Sequence, residues 1–195
     1  MTYPSPDEDQ ADLFSEIADL SLVRFLLADL HDDLQGKVKR FRFLTDLGAM
    51  LGPRGTMIYG GHVAYNAWAE ARSSFVHGNY VATVLLCQSL AENLLAAFLH
   101  GDFTDKLPDK VKFDETLRRC QARGLLDDQD VTDLKQLVGL RNPITHFRHV
   151  DDIHNLDRRS IATGQPAGEL LGRDAWFAIG LAVRILAKPP FRLDR

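Results

Sequence analysis

Apolar residues recur every three or four positions along most of this chain, which is the spacing that gathers side chains on one face of a helix. The first such stripe predicts one long amphipathic helix, and Gly36 after it is suited to the C-terminal cap of that helix. The stripe consists of Leu13, Ile17, Leu20, Val23, Leu27, Leu30 and Leu34. Residues 1–10, which are acidic and contain proline, are predicted to be a disordered lead.

The next stretch, Lys37 to Leu44, has two interpretations. Its polar and apolar residues alternate as in a β-strand, whereas Phe41, Leu44 and Leu47 also fit one face of a helix. A helix is favoured because no second strand is predicted elsewhere to pair with this one. The basic residues of the stretch could bind RNA together with Phe41, but a solvated helix face is the favoured interpretation. Residues 11–47 are therefore predicted to form an N-terminal helical extension.

Five glycines and a proline interrupt the pattern between residues 48 and 61. Such a cluster is typical of a linker between structural units. A phosphate-binding loop is the functional alternative, but it would need a preceding strand and a terminal Gly-Lys-Ser/Thr, and both are missing. We therefore predict a glycine-rich linker over residues 48–61.

Residues 62–188 show four main helical stripes. The first ends near Gly78, and Asn79 is placed to cap the second, which is apolar around most of its circumference. A shorter helix is predicted over residues 113–123, before Gly124. The stripes begin with Ala64, Trp68, Ala71 and Phe75, and continue with Tyr80, Val84, Cys87, Ala91, Leu94 and Phe98.

The last two helices are predicted to start at aspartates. Asp127 or Asp128 would cap one of them, and Asp174 would cap the final helix, which runs to Pro189. Between these helices, the polar residues 151–172 are predicted to form a long loop. The sequence thus predicts an all-α fold, an antiparallel four-helix-type bundle over residues 62–188 with an additional N-terminal helical unit, followed by a tail of residues 189–195.

Composition narrows the function classes. The chain has 195 residues, 45% of them hydrophobic, and a net charge of −4, so a surface that coats nucleic acid is not expected and a polyanion would have to bind in a local cleft. Two cysteines give no disulfide framework, and both are expected to be reduced and buried. No secretory signal is expected from the acidic first residues, and the most apolar stretch, residues 81–99, is interrupted by polar side chains. We therefore expect a cytoplasmic protein that does not span a membrane.

The segment Arg141-Asn142-Pro143-Ile144-Thr145-His146 departs from this regular pattern. The apolar stripe of its helix, continued by three residues, arrives at Arg141, so an arginine is predicted where the pattern requires a core side chain. A guanidinium there should either pair with a carboxylate such as that of Glu92 or face a cleft that holds an anion.

Pro143 makes the geometry of this segment ambiguous. The helix could kink, or it could stop and restart with Asn142 as the new N-cap. A restart would place His146 in a first turn whose free N–H groups favour phosphate. In an unbroken helix, Arg141 and His146 would point about 140° apart.

The chemistry of this segment suits RNA cleavage without a metal. Histidine can take or give a proton near neutral pH, and arginine can bind the phosphate and stabilise its developing charge. One histidine per chain fills one of the two proton-transfer roles, so a dimer that sets two segments face to face would complete the site.

An arginine, a polar residue, three further residues and a histidine, late in a helical bundle, resemble the motif of the HEPN superfamily (higher eukaryotes and prokaryotes nucleotide-binding). Arg141, Asn142 and His146 occupy the motif positions, and residues 78–92 are similar to the first long core helix of the family. The resemblance covers about residues 62–188. The variant that pairs with a nucleotidyltransferase antitoxin has a tyrosine where this chain has Ile144, which argues against that branch.

The resemblance implies a homodimer with both motifs at its interface, and a metal-independent endoribonuclease that leaves a 2′,3′-cyclic phosphate and a 5′-hydroxyl. Arg141 would stabilise the phosphate, His146 would transfer the proton, and Asn142 would orient the site. Such proteins recur in toxin–antitoxin and anti-phage defence systems, so RNA and an antitoxin or regulatory protein are the implied partners. Other members of the superfamily are inactive or serve as binding modules.

Four further residues are predicted to contact the substrate: Glu92, Thr145, Arg148 and His149. The last two belong to a local basic patch that could guide RNA to the motif. The patch consists of Arg141, His146, Arg148, His149, His154, Arg158 and Arg159. The alternative is a solvated loop whose charges are offset by aspartates. A metal site formed by His146, His149 and Asp151 or Asp152 matches no strong zinc spacing, so no metal or cofactor is predicted.

Three hypotheses therefore follow from the sequence. The first is a homodimeric endoribonuclease of HEPN type. The second is a non-catalytic module that binds nucleotide, RNA or a partner protein in the same groove. The third is a structural dimer in which Arg141 forms an internal ion pair.

Overall fold

A computed structural model of the protein describes residues 20–101, 108 and 111–193. Within these ranges the regular structure is helical, and the β-pairing is one isolated bridge, which confirms the predicted all-α fold. The helices are α1 (Leu20–His31), α2 (Leu34–Gly48), α3 (Gly61–His77), α4 (Tyr80–His100), α5 (Phe113–Ala122), α6 (Asp128–Thr145), α7 (Leu156–Thr163) and α8 (Ala167–Leu186), with a 3-10 turn at Ala49–Leu51. The predicted lead over residues 1–10, the first two positions of the first stripe and residues 194–195 of the predicted tail lie outside the described residues.

The chain divides into two compact units between Gln35 and Gly36. The first unit contributes α1 to the described residues. The prediction of one helix through Leu34 with a cap at Gly36 is wrong, because α1 ends at His31 and Gly36 lies inside α2. Asp33 has a φ of 50°, a left-handed conformation that breaks a helix and that aspartate tolerates better than most residues.

α2 belongs almost wholly to the second unit, so the division between units differs from the predicted extension over residues 11–47. Phe43 and Leu44 of α2 pack against the core of this unit. Arg40 is buried, and its guanidinium donates to the carbonyl of Val76 at 2.9 Å and to the hydroxyl of Tyr80 at 3.2 Å. The interpretation of residues 37–42 as a solvated face is therefore wrong for Arg40, which holds α2 against α3 and α4.

Residues 52–60 connect two helices but pack as part of the core. Tyr59 contacts the core, and the hydroxyl of Thr56 lies 3.0 Å from the carbonyls of both Leu186 and Phe191. Phe191 is fully buried, with its ring 5.6 Å from that of Tyr59 and 5.7 Å from that of Phe98. The segment predicted as a linker and the first part of the predicted tail thus hold each other in place.

α4 lies at the centre of the bundle and contacts α3, α5, α6 and α8. Gly78, in the left-handed conformation, ends α3 as predicted, and Asn79 occupies the N-cap position of α4 without a capping hydrogen bond from its side chain. By length and composition alone, α4 is long and apolar enough to cross a bilayer, although the sequence analysis expects no membrane span. Its packing is nevertheless that of a core helix, which is compatible with a soluble protein.

The two cysteines are free and buried, as predicted. Cys87 lies in α4 and Cys120 in α5. Burial raises the pKa of the Cys120 thiol to about 12 and also raises the pKa of the Cys87 thiol.

Ionic contacts join α6 to α8. Asp127 caps α6, one of the two alternatives left by the sequence, and it exchanges hydrogen bonds with Asp130 in a capping box. Asp130 is buried and pairs with Lys188, while Asp133 pairs with Arg184. These pairs fix the orientation of α6, which carries the Arg-Asn segment at its other end.

Candidate functional site

α6 continues through Pro143 and ends at Thr145, so the alternative in which the helix restarts at Asn142 is wrong. His146 follows in an extended conformation, with φ −131° and ψ 136°, and its amide donates to the carbonyl of Asn142 at 2.9 Å. A proline removes only one helical hydrogen bond, and Leu140 and Ile144 still pack on the core and hold this last turn. The phosphate-binding first turn expected from a restart is therefore not formed at His146.

Arg141 lies at the border of the core stripe and not within it. The side chains that α6 buries in this region are Leu134, Leu137 and Leu140, while Val138 and Arg141 are only partly buried. The predicted stripe through Val138 thus runs beside the true one. Partial exposure removes the need for an internal ionic partner that full burial would impose.

The guanidinium of Arg141 lies against the neighbouring Asn142, with Nη1 3.4 Å from Oδ1. Among the described residues it forms no ion pair, so the hypothesis of an internal salt bridge finds no support within one chain. Glu92, predicted as its partner, accepts a hydrogen bond from Gln88 at 2.9 Å and lines a separate cleft with His100. The structure thus brings Arg141 and Asn142 together but leaves Glu92 elsewhere.

His146 is exposed, and within the described residues its side chain forms no hydrogen bond with Arg141. The hydroxyl of Thr145 lies 3.4 Å from the carbonyls of Arg141 and Asn142, one turn earlier in the helix. In the described part of a single chain, Arg141 and His146 are thus close in sequence but are not hydrogen-bonded to each other.

The basic residues that follow are largely offset by aspartates. Arg148 lies 3.9 Å from Asp152, and the Nδ1 atom of His149 lies 2.9 Å from a carboxylate oxygen of Asp151. Arg158 donates to the backbone carbonyl of Asp151. Most of the predicted basic patch thus resembles the internally neutralised loop that was its alternative.

Residues 151–172 do not form the long loop predicted from their polarity. They contain α7, capped by Asn155, whose side chain accepts from the amides of Asp157 and Arg158. The prediction that Asp174 caps α8 is wrong, because α8 begins earlier, at Ala167. The buried carboxylate of Asp174 instead accepts two hydrogen bonds from Arg159, at 2.6 and 2.7 Å. These bonds raise the pKa of the Arg159 guanidinium and fix α7 on α8.

A cleft of about 370 Å³ lies between the Arg-Asn segment and α7. Pro143 and Ile144 form part of its wall, so it adjoins the predicted site. The remaining lining residues are Val81, Leu140, His154, Asn155, Leu156, Asp157, Arg159, Leu171 and Asp174. His154 belongs to the predicted basic patch, in which no specific role is assigned to it.

His154 lies directly against Gly139 of α6. A Cβ atom at residue 139 would be 2.8 Å from Cε1 and 2.9 Å from Nε2 of the imidazole, so the ring occupies space that any other residue would fill. The amide of His154 donates to Asp152 at 2.9 Å, which helps to hold this position. Gly139 is therefore the residue that admits His154 to the cleft.

Large apolar side chains are exposed around the segment. Phe147 follows His146 directly and is 92% exposed, while Ile153 in the same loop is 68% exposed. Exposed apolar residues gathered near a polar site are typical of surfaces that bind another molecule.

Within the described residues no group of three or more histidine, cysteine, aspartate or glutamate side chains is arranged to hold a metal ion. Comparison of the chain with protein-family models, with curated proteins and with solved structures gives no match in any of the three.

Proposed function

We propose that the protein is a metal-independent endoribonuclease of HEPN type, acting on RNA at a site shared by two chains. The observation that carries the proposal is the state of Arg141. Arg148, His149 and Arg159 each contact an aspartate, whereas Arg141 has no carboxylate partner among the described residues. A partly buried cation without an internal counter-ion is suited to bind a phosphate.

The reaction uses groups that the segment supplies. The ribose 2′-oxygen attacks phosphorus as a base removes its proton, and the bond to the 5′-oxygen breaks as an acid protonates that oxygen. Arg141 stabilises the charge on the phosphoryl oxygens, and Asn142, whose Oδ1 is 3.4 Å from the guanidinium, orients it. His146 serves as one proton-transfer group.

A homodimer supplies the second proton-transfer group. His146 of one chain would act as the base and His146 of the other as the acid. The exposed apolar side chains of Phe147 and Ile153 support association at this end of the molecule, because a second chain would remove them from water. We further propose a cytoplasmic location and a role in a toxin–antitoxin or anti-phage system.

The test is incubation of the purified protein with mixed RNA in the presence of EDTA. We expect cleavage products that end in a 2′,3′-cyclic phosphate, and Arg141→Ala or His146→Ala should lower the rate at least 100-fold. Arg173→Ala removes an exposed arginine on α8 and is the matched control, with an unchanged rate. RNA that stays intact with a protein shown to be dimeric would contradict the proposal.

A second candidate is a non-catalytic module that binds nucleotide, RNA or a partner protein in the same groove. It is favoured by the exposed position of His146, which among the described residues forms no hydrogen bond with Arg141 of its own chain. Under this alternative, labelled RNA would be retained without cleavage, and Arg141→Ala would weaken its retention whereas His146→Ala would leave the RNA equally intact.

A further inference from the structure

We propose that the cleft between the Arg-Asn segment and α7 binds one nucleobase of the RNA, with a preference for guanine. This inference rests on the proposed function, because it places the base beside the phosphate that Arg141 would hold. Pro143 and Ile144 belong both to the segment and to the wall of the cleft, so the two sites are continuous.

The size and walls of the cleft suit a planar base. Its volume of about 370 Å³ falls at the lower end of the range for small-molecule sites, roughly 300–1,000 Å³. Leu140, Leu156 and Leu171 contribute apolar surface, and the imidazole of His154 contributes an aromatic surface on which bases commonly stack. Apolar surface and one aromatic ring are the usual components of a pocket for an unstacked base.

The charged groups of the cleft offer little to an anion. Arg159, the arginine in its lining, is held by the buried carboxylate of Asp174, so its charge is offset. Asp157 also lines the cleft, and within the described residues its carboxylate forms no hydrogen bond or ion pair. This charge would repel a phosphate and favour a group that carries N–H donors.

Pro143 leaves one carbonyl of α6 without its helical donor. In an α-helix the carbonyl of residue 139 accepts from the amide of residue 143, but proline has no N–H to donate. The carbonyl of Gly139, in the turn of α6 against which His154 packs, therefore lacks its usual donor. In the cleft itself, guanine matches the Asp157 carboxylate best, because the Watson–Crick edge of guanine carries an N–H and an amino group side by side, which a carboxylate can bind together.

Gly139 provides a specific test of the cleft. Gly139→Ala places a methyl group within 2.8 Å of the His154 ring, so the ring must move, while no charged or titratable group is removed. Gly180→Ala is the matched control, because a Cβ atom at residue 180 of α8 would meet nothing within 4 Å. Both substitutions also raise helix propensity, so a difference between them reports the cleft and not the helix.

The protein is titrated with each of the four ribonucleoside 3′-monophosphates and with inorganic phosphate. Binding is measured by calorimetry and by the shifts of the NMR signals of the histidine rings. We expect guanosine monophosphate to bind at least tenfold more tightly than inorganic phosphate. Gly139→Ala and His154→Ala should each weaken this binding at least tenfold, Gly180→Ala should leave it unchanged, and Asp157→Asn should reduce the preference for guanine. Gly139→Ala displaces the His154 ring, whereas His154→Ala removes it. Circular dichroism verifies that each variant is folded.

The outcomes separate this inference from the proposed function. Equal affinity for the four nucleotides and inorganic phosphate, or equal affinity in Gly139→Ala and Gly180→Ala, would overturn the base site even if RNA is cleaved. Binding of guanosine monophosphate by the cleft in a protein that leaves RNA intact would uphold the base site and reject the nuclease.

Discussion

Asp174 and Arg159 show how single side chains join elements at the site, since two hydrogen bonds of 2.6 and 2.7 Å connect them. Asp174→Asn removes the negative charge that the guanidinium faces and cannot accept both bonds. We expect the free energy of unfolding to fall by about 1–3 kcal/mol, because the partly buried Arg159 cation would lose its counter-ion. Urea denaturation measures this. Asp157→Asn, at an exposed position, should change it little, and equal effects of the two substitutions would show that the pair does not stabilise the fold.

At this scale the sequence predicts residue chemistry better than residue environment. Arg141 was identified from its place on an apolar stripe, yet the buried side chains lie one position away, at Leu137 and Leu140. Arg40, by contrast, was interpreted as solvated and is buried. For Arg141 the reason is that a helical pattern gives the angular position of a residue only to within one residue. For Arg40 the reason is that the acceptor that allows its burial, the carbonyl of Val76, lies 36 residues away in the sequence.

At the scale of the element, α6 depends on its first residue. The hydrogen bond from the amide of Asp130 lowers the pKa of the Asp127 carboxyl below its usual range. The folded pKa is therefore lower than the unfolded one, so the contribution of Asp127 is present above the unfolded value of 3.8 and is lost as the pH falls through the folded value.

Asp127→Ala should lower the urea midpoint at pH 7 and make stability less dependent on pH below about pH 4, because the titrating cap is gone. Asp127→Asn should retain most of the midpoint at pH 7, since asparagine also caps helices, but should lose the same pH dependence. The midpoints at pH 3 and pH 7 provide the comparison. A pH dependence that is unaltered in both variants would assign it to other carboxylates.

The other end of α6 is weakened by Pro143. Pro143→Ala restores an amide donor for the carbonyl of Gly139, so we expect an increase of about 1–3 kcal/mol in the free energy of unfolding. If the free acceptor serves the RNA site, the same substitution should lower guanosine monophosphate binding. Thermal unfolding and calorimetry on one preparation test both effects. A less stable variant would mean that the proline fits this helix better than alanine.

The elements that sequence analysis missed have specific causes. α7 is short, and its sequence is as polar as a loop; the signals that identify it are Asn155 at its start and Gly164 at its end. The break between α1 and α2 falls in an uninterrupted apolar stripe and depends on the conformation of Asp33, which the stripe does not reveal. The sequence limits the cap of α6 to Asp127 or Asp128, because a capping pattern is local.

At the scale of the whole molecule, Phe191 joins the residues after α8 to the segment before α3 and to α4. This ring is fully buried and packs edge-on against Tyr59 and Phe98. Phe191→Ala should lower the free energy of unfolding by about 3–5 kcal/mol, the usual cost of removing a buried phenylalanine. Leu193→Ala, two residues later and 45% exposed, is the control and should cost much less. Similar urea midpoints for both variants would show that residues 189–193 behave as a loose tail.

Charge is distributed unevenly along the chain. Residues 1–35 contain nine acidic residues and one arginine, whereas residues 36–195 contain 18 acidic and 22 basic residues. The net charge of −4 therefore describes no single part of the protein, and the exclusion of a nucleic-acid surface drawn from it is too strong for the second unit.

Deleting residues 1–33 should strengthen RNA binding and make it more salt-dependent, because the remaining chain carries an excess of positive charge. Filter binding at 50 and 200 mM salt measures both. The control is a chain in which the acidic residues of the segment are replaced by their amides, which should behave like the deletion. A deletion that leaves the affinity unchanged at low salt would show that this charge does not reach the RNA site.

The two buried thiols can report when the core around them opens. Cys87 and Cys120 lie in different helices, and burial disfavours the thiolate of each. A thiol reagent can therefore react only with molecules in which the surrounding helix has opened, so labelling rates follow local opening equilibria. Because Cys87 lies on the central helix, its rate follows opening of the whole bundle, and a faster rate at Cys120 would identify α5 as a part that detaches first. The labelling rates of the two native cysteines thus report the opening of two different helices.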